Sequence, residues 1–201
     1  MILNNYFWYF PKALSPEICK QIKTFALKKR KEKFARVGKY KPEIKKLSKK
    51  AKEDILKIRN SNVIWLDDPW IYNMLHPYVH TANSSSGWNF QWSHSEAIQF
   101  TIYRKDQFYD WHCDASPGDP THRKLSVSVQ LDDPNDYEGG NLLFDPRDIT
   151  PNGGSRIVED LAIRPQGTIV VFPSFVWHKV TPVTKGTRHS LVMWSYGEPF
   201  K

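Results

Sequence analysis

The sequence predicts a mainly β fold, an antiparallel sandwich or a double-stranded β-helix (jelly roll) core, with supporting N-terminal α-helices. Three observations predict it. After residue 88 the chain breaks into seven or eight short alternating or apolar segments, each bounded by Pro or Gly, with no helical pattern between them. Before residue 88 the apolar residues recur instead at three- and four-residue intervals. The 201 residues, 40% hydrophobic, are enough to bury a sizeable core. No repeat, low-complexity tract or linker divides them. We therefore expect a single domain over 1–201, with a strand and helical layer over 1–88 and the jelly-roll core over 89–197.

Each element has a local cause. Tyr6, Phe7, Trp8, Tyr9 and Phe10 are too apolar for a free tail and predict an extended segment packed on the core. Ser15-Pro16-Glu17 is a helix start, with an N-cap, a proline in the first turn and an acid beside it. Ile18, Ile22 and Phe25 continue that helix to about Lys33. Gly38 and Pro42 break the pattern. Residues 43–58 predict a second helix, with Ile44, Leu47, Ala51, Ile55 and Ile58 on one stripe and lysines opposite. Residues 60–66 predict a short strand. Asp67-Asp68-Pro69 opens a third helix to about Ala82, disturbed by Pro77, and residues 83–87 predict a loop. His76 and His80 are four apart on that helix, but Pro77 stands where a zinc-protease motif needs Glu. Strands are expected over 97–103, 125–131, 141–144, 157–163, 168–172, 176–180 and 188–196. In the second of these Leu125, Val127, Val129 and Leu131 alternate with Ser126, Ser128 and Gln130.

Composition excludes several classes. Two cysteines, Cys19 and Cys113, cannot make a disulfide framework and fit a reducing compartment. No apolar run reaches transmembrane length and no signal peptide is evident. The expectation is a soluble cytoplasmic protein, in the host cytoplasm if the source is viral, with no membrane partner. Residues 28–59 hold 15 of the 29 Lys and Arg but only 4 of the 21 Asp and Glu, so the net charge of +8 belongs to one segment. A solvated helix face accounts for it; nucleic acid or an acidic partner is the competing reading.

The chemistry centres on Tyr109-Asp110-Trp111-His112-Cys113-Asp114. On a strand, His112 and Asp114 point to one side. They make two thirds of a 2-His-1-carboxylate site, the arrangement that holds non-haem Fe(II) and leaves positions open. His178, at the start of a late strand, is the third ligand that a jelly roll would return to the pair. His122 lies in a polar loop and His189 alternates with Arg188, so neither serves as well. Arg188 and Ser190 share a strand face ten residues after His178. An inward-facing arginine in a small barrel is costly without an anion, and its planar fork fits a carboxylate. A core salt bridge or a surface position is the bland alternative.

These residues carry a family resemblance. His112-x-Asp114, His178 and Arg188-x-Ser190, in that order, resemble the iron(II)/2-oxoglutarate-dependent dioxygenases, and the nearer match is the prolyl 4-hydroxylase-like branch with its small bacterial and phage hydroxylases. Tyr103 and Tyr109 precede His112 with similar spacing. Arg123-Lys124-Leu125-Ser126, the acidic Gly-Gly hairpin Asp136–Leu142, Phe172-Pro173-Ser174, His178–Val183 and Gly186-Thr187-Arg188 are similar to the same branch. The resemblance covers about residues 90–197.

The resemblance implies a site residue by residue. His112, Asp114 and His178 bind Fe(II). Arg188 pairs with the distal carboxylate of 2-oxoglutarate, assisted by Ser190 and Tyr103. Gln130, which stands where some relatives have an aromatic residue, Trp194, Val180 and Leu142 border the co-substrate pocket, the apolar ones with plain core as their alternative. Arg123 and Tyr109 fall near the substrate. Cys113 takes no role, and no catalytic group is needed beyond the metal and co-substrate ligands. Cofactors are Fe(II), 2-oxoglutarate, O2 and, as an accessory, ascorbate. The reaction implied is hydroxylation of an unactivated C–H bond, with a prolyl residue of a peptide or protein as the leading substrate and succinate and CO2 released. The alternatives are the same chemistry on a free amino acid, another small molecule or nucleic acid. Nucleic-acid dealkylases of this chemistry carry a second Arg six residues after the first, where this chain has Trp194. A non-catalytic jelly-roll binding module is the reading from another class.

Overall fold

The computed structural model describes residues 3–29, 32–35, 48–115, 122–149 and 154–199. The aromatic opening forms β1 (Trp8–Phe10), and α1 (Pro16–Lys29) follows with the Ser15 side chain accepting the Ile18 N–H at 3.4 Å. The helix does not reach the expected Lys33. Lys33 and Phe34 instead form β2 (Lys33–Phe34), paired with Val63 and Asn62, so sheet hydrogen bonds override the local helical pattern. In α2 (Lys49–Ile58) the Ser48 side chain accepts the Ala51 N–H at 3.2 Å, which sets the start. Ile55 of the expected stripe is buried, while Ile44 and Leu47 lie outside the described residues.

The single strand expected over 60–66 is two. β3 (Arg59–Asn60) and β4 (Asn62–Leu66) enter different sheets, and buried Ser61 is the crossing point. α3 (Pro69–Ser85) keeps Pro77 inside it and absorbs residues expected in a loop. Asn83 explains the extension: its side chain accepts the Phe90 N–H at 3.0 Å and donates to the Phe90 carbonyl at 2.9 Å, which offsets its poor helix propensity.

The β region comprises β5 (His94–Ser95), β6 (Ile98–Tyr103), β7 (Phe108–His112), β8 (Arg123–Gln130), β9 (Tyr137–Gly139), β10 (Leu142–Asp145), β11 (Val158–Glu159), β12 (Ile169–Pro173), β13 (Trp177–Val180), β14 (Val183–Gly186) and β15 (Arg188–Tyr196). The strand expected over 157–163 is curtailed. Asp160 accepts the Ala162 N–H at 2.9 Å and turns Leu161–Ile163 into a 3-10 helix. The Gly-Gly hairpin is itself paired, β9 with β14, where the sequence reading had no strand. Gly139 has φ +71, and a side chain there would run into the Pro182 carbonyl.

Among the described residues all strand pairings are antiparallel. Among the described residues β1, β12, β8, β15, β6, β4 and β2 bond in that order, with β5 on β15, while β11, β10, β13, β7 and β3 form the facing sheet. This is the jelly roll with helices on one sheet. Period-two alternation divides the larger sheet into two unlike faces. Ile98, Phe100, Ile102, Leu125, Val127, Val129, Leu191 and Met193 pack against Cys19, Ile22 and Ala26 of α1 and Ile71, Leu75 and Val79 of α3. Each such aliphatic side chain contributes about 1.5–3 kcal/mol when fully buried. The opposite face looks toward the smaller sheet and is largely polar on β6, β8 and β15: Gln99, Thr101, Tyr103, Ser126, Ser128, Gln130, Arg188 and Ser190 are all buried there, with Val170 and Phe172 of β12 beside them. No helix among the described residues is long and apolar enough to cross a membrane.

One buried carboxylate ties the helical layer to the sheet. Asp132 accepts from Lys23 Nζ of α1 at 2.7 Å, from the His189 N–H of β15, and faces His189 Nδ1 at 3.0 Å. Burial alone would raise its pKa, but the bonds from His189 and Lys23 outweigh burial and hold it below the ordinary carboxylate range. A depressed native pKa stabilises the fold above the unfolded-state value near 4, and the gain is lost as pH falls through the native value. Asp132→Asn is therefore expected to cost about 2 kcal/mol at neutral pH, roughly 4–8 °C in melting temperature, with the gap to the parent closing below about pH 4 in thermal melts followed by circular dichroism.

Candidate metal centre and anion pocket

His112 ends β7 and His178 lies on β13, directly across the ladder from it. Asp114 is placed differently from the regular-strand expectation. β7 stops at His112, and Asp114 reaches the same point because its own N–H and that of Ala115 both donate to the Ser174 carbonyl, at 2.8 and 2.9 Å. Its Oδ2 accepts from Ser126 Oγ at 2.7 Å, and Ser126 Oγ lies 3.0 Å from Ser174 Oγ. The loop is thus pinned to the polar face of β8 and to the turn after β12.

Both imidazoles are oriented by their own strands. His112 Nδ1 is 2.7 Å from the Asp110 carbonyl and His178 Nδ1 is 2.9 Å from the Val176 carbonyl. A carbonyl only accepts, so each Nδ1 carries a proton, which leaves Nε2 as the nitrogen that faces the other ligands. The Tyr109 ring stacks on His112 at 3.4 Å between centroids, and Phe172 meets His178 edge-on at 4.7 Å. The Nε2 atoms lie 3.7 and 3.6 Å from the Asp114 oxygens, and all three ligand atoms fall within 4.8 Å of one another. Those separations are too long for hydrogen bonds. Donors bound at about 2.1 Å to one ion stand roughly 3 Å apart, so a small inward movement closes the set on a metal.

The electrostatics suit a cation. Burial, reinforced by His178, holds the His112 imidazole well below its ordinary pKa, so it is neutral. Burial alone would raise the Asp114 carboxyl, but His178, His112, Arg123 and the Ser126 hydroxyl together hold it below the ordinary value, so it is ionised. Neutral imidazoles and a carboxylate are the states that coordinate a divalent ion.

The anion pocket lies on the larger sheet. Arg188 is 2% exposed. Its Nη2 donates to Gln130 Oε1 at 2.8 Å, while Nε and Nη1 are buried with no hydrogen-bond partner. A buried guanidinium with two idle nitrogens calls for an anion, and a carboxylate is an acceptor such a charge recruits. Tyr103 pairs with Arg188 across β6 and β15, its ring 5.4 Å from the guanidinium carbon. Burial raises its phenol pKa, so the hydroxyl stays a donor. Ser190, Val180, Leu142 and Trp194 line the same cavity as Arg188 and the three ligands. Gly140 (φ +61) lets the arginine stem pass, since a Cβ there would sit 2.9 Å from Arg188 Cδ.

The residues named from the sequence meet in this one cavity except Arg123 and Gln130, which stand behind its lining. Arg123 is engaged: it forms a two-pronged ion pair with Glu96 at 2.6 and 2.7 Å, donates from Nη1 to the Asp114 carbonyl at 3.2 Å, and lies over the Trp194 ring at 4.1 Å. Gln130 borders the pocket by holding Arg188. The rival histidines stay away. His189 serves Asp132 and stacks on Phe100, and His122 is no part of the one potential metal cluster among the described residues. Sequence reasoning missed Ser126, Ser174 and Glu96. Ser126 had a signal, its place on the polar stripe of β8; Glu96 had none.

Residues 98–196 match the family model of the 2OG-Fe(II) oxygenase superfamily. A PKHD-type hydroxylase of Alteromonas mediterranea is 35% identical over 101 residues, covering 47% of this chain and 41% of that relative. One from Xanthomonas campestris is 31% identical over 103 residues, with the same coverage. The chain thus spans about two fifths of the length of the curated relatives it matches. Among solved structures, a Pseudomonas putida prolyl-4-hydroxylase superposes with a TM-score of 0.65 at 19% identity, covering 97% of this chain and 94% of that one. A Trichoplax adhaerens prolyl hydroxylase, solved with a hypoxia inducible factor peptide fragment, gives 0.70 at 16% identity over 96% and 84%. At these identities the structural likeness concerns the fold.

Removing the hydroxyl that holds Asp114 is expected to loosen the ligand set without unfolding the chain. Ser126→Ala should weaken Mn(II) binding by about tenfold in calorimetric titration, while the melting temperature stays close to the parent's.

Proposed function

We propose a function from one premise: through residues 98–196 the chain belongs to the 2OG-Fe(II) oxygenase superfamily. On that premise it is an Fe(II)- and 2-oxoglutarate-dependent dioxygenase that hydroxylates an unactivated C–H bond. Its leading substrate is a prolyl residue of a peptide or protein. The observation that carries this reading is the pairing, in one cavity, of the His112–Asp114–His178 set with the idle Nε and Nη1 of Arg188.

Bound iron and 2-oxoglutarate would supply the oxidative decarboxylation that splits O2 and yields succinate, CO2 and a hydroxylated product. The chain's share is binding, orientation and exclusion of water. His112, Asp114 and His178 hold the metal from one side and leave the other open. Arg188, held through Nη2 by Gln130, takes the distal carboxylate of the co-substrate, and the Tyr103 and Ser190 hydroxyls add donors. Val180, Leu142 and Trp194 keep that pocket apolar around the charge, which strengthens it. Arg123 and Tyr109, beside Asp114 and His112, border the approach of the substrate. The same reading makes residues 89–197 the catalytic core and 1–88 its support. A peptide substrate is favoured by the relative solved with a peptide fragment. Ascorbate as accessory reductant and a cytoplasmic location complete the proposal.

Anaerobic Fe(II) plus 2-oxoglutarate is expected to give a weak visible charge-transfer band that His178→Ala abolishes, and succinate on admission of O2. Absence of both from the parent chain would sink the enzyme reading. Arg188→Ala should raise half-saturation by 2-oxoglutarate by about a hundredfold, the scale of losing a buried charge-assisted pair. Mass spectrometry of lysates treated with parent or Asp114→Ala chain then finds the substrate as species that gain one oxygen atom. If no prolyl peptide is among them, the prolyl assignment is wrong.

A further inference from the structure

Glu96 lies between β5 and β6, outside any catalytic motif, yet three elements hold it still. Its N–H donates to the Trp194 carbonyl of β15 at 2.9 Å, and its carbonyl accepts from Tyr72 Oη of α3 at 3.1 Å. The preceding β5 is held by Ser95 Oγ, 3.1 Å from both His76 Nε2 and Ser195 Oγ. The carboxylate fixed in this way takes Nε and Nη2 of Arg123 together, which leaves Nη1 to donate to the Asp114 carbonyl.

Asp114 needs that contact. It lies beyond the end of β7, with its N–H on Ser174 and its carbonyl on Arg123. Arg123 is also the cation best placed to do harm, because the Asp114 carboxylate belongs to the residue whose carbonyl it already touches. A guanidinium released from Glu96 would find there the bidentate partner it prefers, in competition with a metal ion. The geometry points to Glu96 as a positioning residue that keeps Arg123 on the backbone carbonyl of Asp114 and off its metal-binding carboxylate.

This inference rests on the metal-site reading, and its test separates the two. Mn(II) affinity and the Mn(II) electron paramagnetic resonance spectrum are measured for the parent, Glu96→Gln, Arg123→Gln and the double variant, with melting temperatures alongside. Glu96→Gln is expected to weaken Mn(II) binding about tenfold, as an outer-shell loss does. In the Arg123→Gln background the same replacement is expected to change nothing, because no guanidinium remains to be held. An affinity within twofold of the parent's, a loss of equal size in both backgrounds, or a Glu96→Gln chain that does not fold would each overturn the inference. A parent chain that binds no Mn(II) would overturn the metal site itself.

Discussion

Across β6, β8 and β15 the inner face of the larger sheet is largely polar, and a polar face cannot hold two sheets together by itself. Ser126, Ser128, Gln130, Thr101, Gln99 and Arg188 occupy the positions where an ordinary sandwich places aliphatic side chains. The stabilising surface has moved to the other side. There α1 and α3 cover Phe100, Val127, Leu191 and their neighbours in a continuous apolar layer, and Asp132 bolts α1 to β15. The helices are thus what frees the interior for chemistry. Between the sheets only a smaller cluster around Phe144, Phe172, Val170 and Val176 remains, packed beside His178.

Much of this was legible in the chain because it repeats with the period of the backbone. The alternation in 125–131 and 188–196 names both faces of the sheet before any coordinate is known. His178 and Arg188 were legible from their order and spacing, ten residues apart across Lys185-Gly186. What alternation could not reveal is a residue placed by a non-local bond. Asp114 was expected on a strand but is held by Ser174, sixty residues later. Lys33 reads as helix in its neighbourhood and becomes strand because Val63 needs a partner. Glu96 carries no local mark at all, because its function is conferred by Arg123, Trp194 and Tyr72. Ser61 shows the same limit. Nothing in Asn60–Leu66 signals that the first residue belongs to one sheet and the rest to another.

Glycine marks the places where backbone must yield to the site. At Gly140 the arginine stem passes within the space a methyl would fill, and Val183 closes the other side. Arg164 then secures the hairpin, donating to the Gly139 and Tyr137 carbonyls at 3.1 and 2.9 Å and lying 4.5 Å over the Tyr137 ring. The orientation of Arg188 is therefore set from two directions, by Gln130 at its tip and by the hairpin along its stem.

The two halves of the site stand on different sheets. His112 and His178 belong to the smaller one, on β7 and β13; Arg188, Tyr103 and Gln130 belong to the larger, on β15, β6 and β8. On the proposed function a diacid gripped at both ends would be a strut across the gap, and the spacing of the sheets would be the gauge that admits one chain length and refuses its shorter and longer homologues. Selectivity for that small molecule would then be an architectural dimension, set as much by the aromatic packing that separates the sheets as by the groups that touch the ligand.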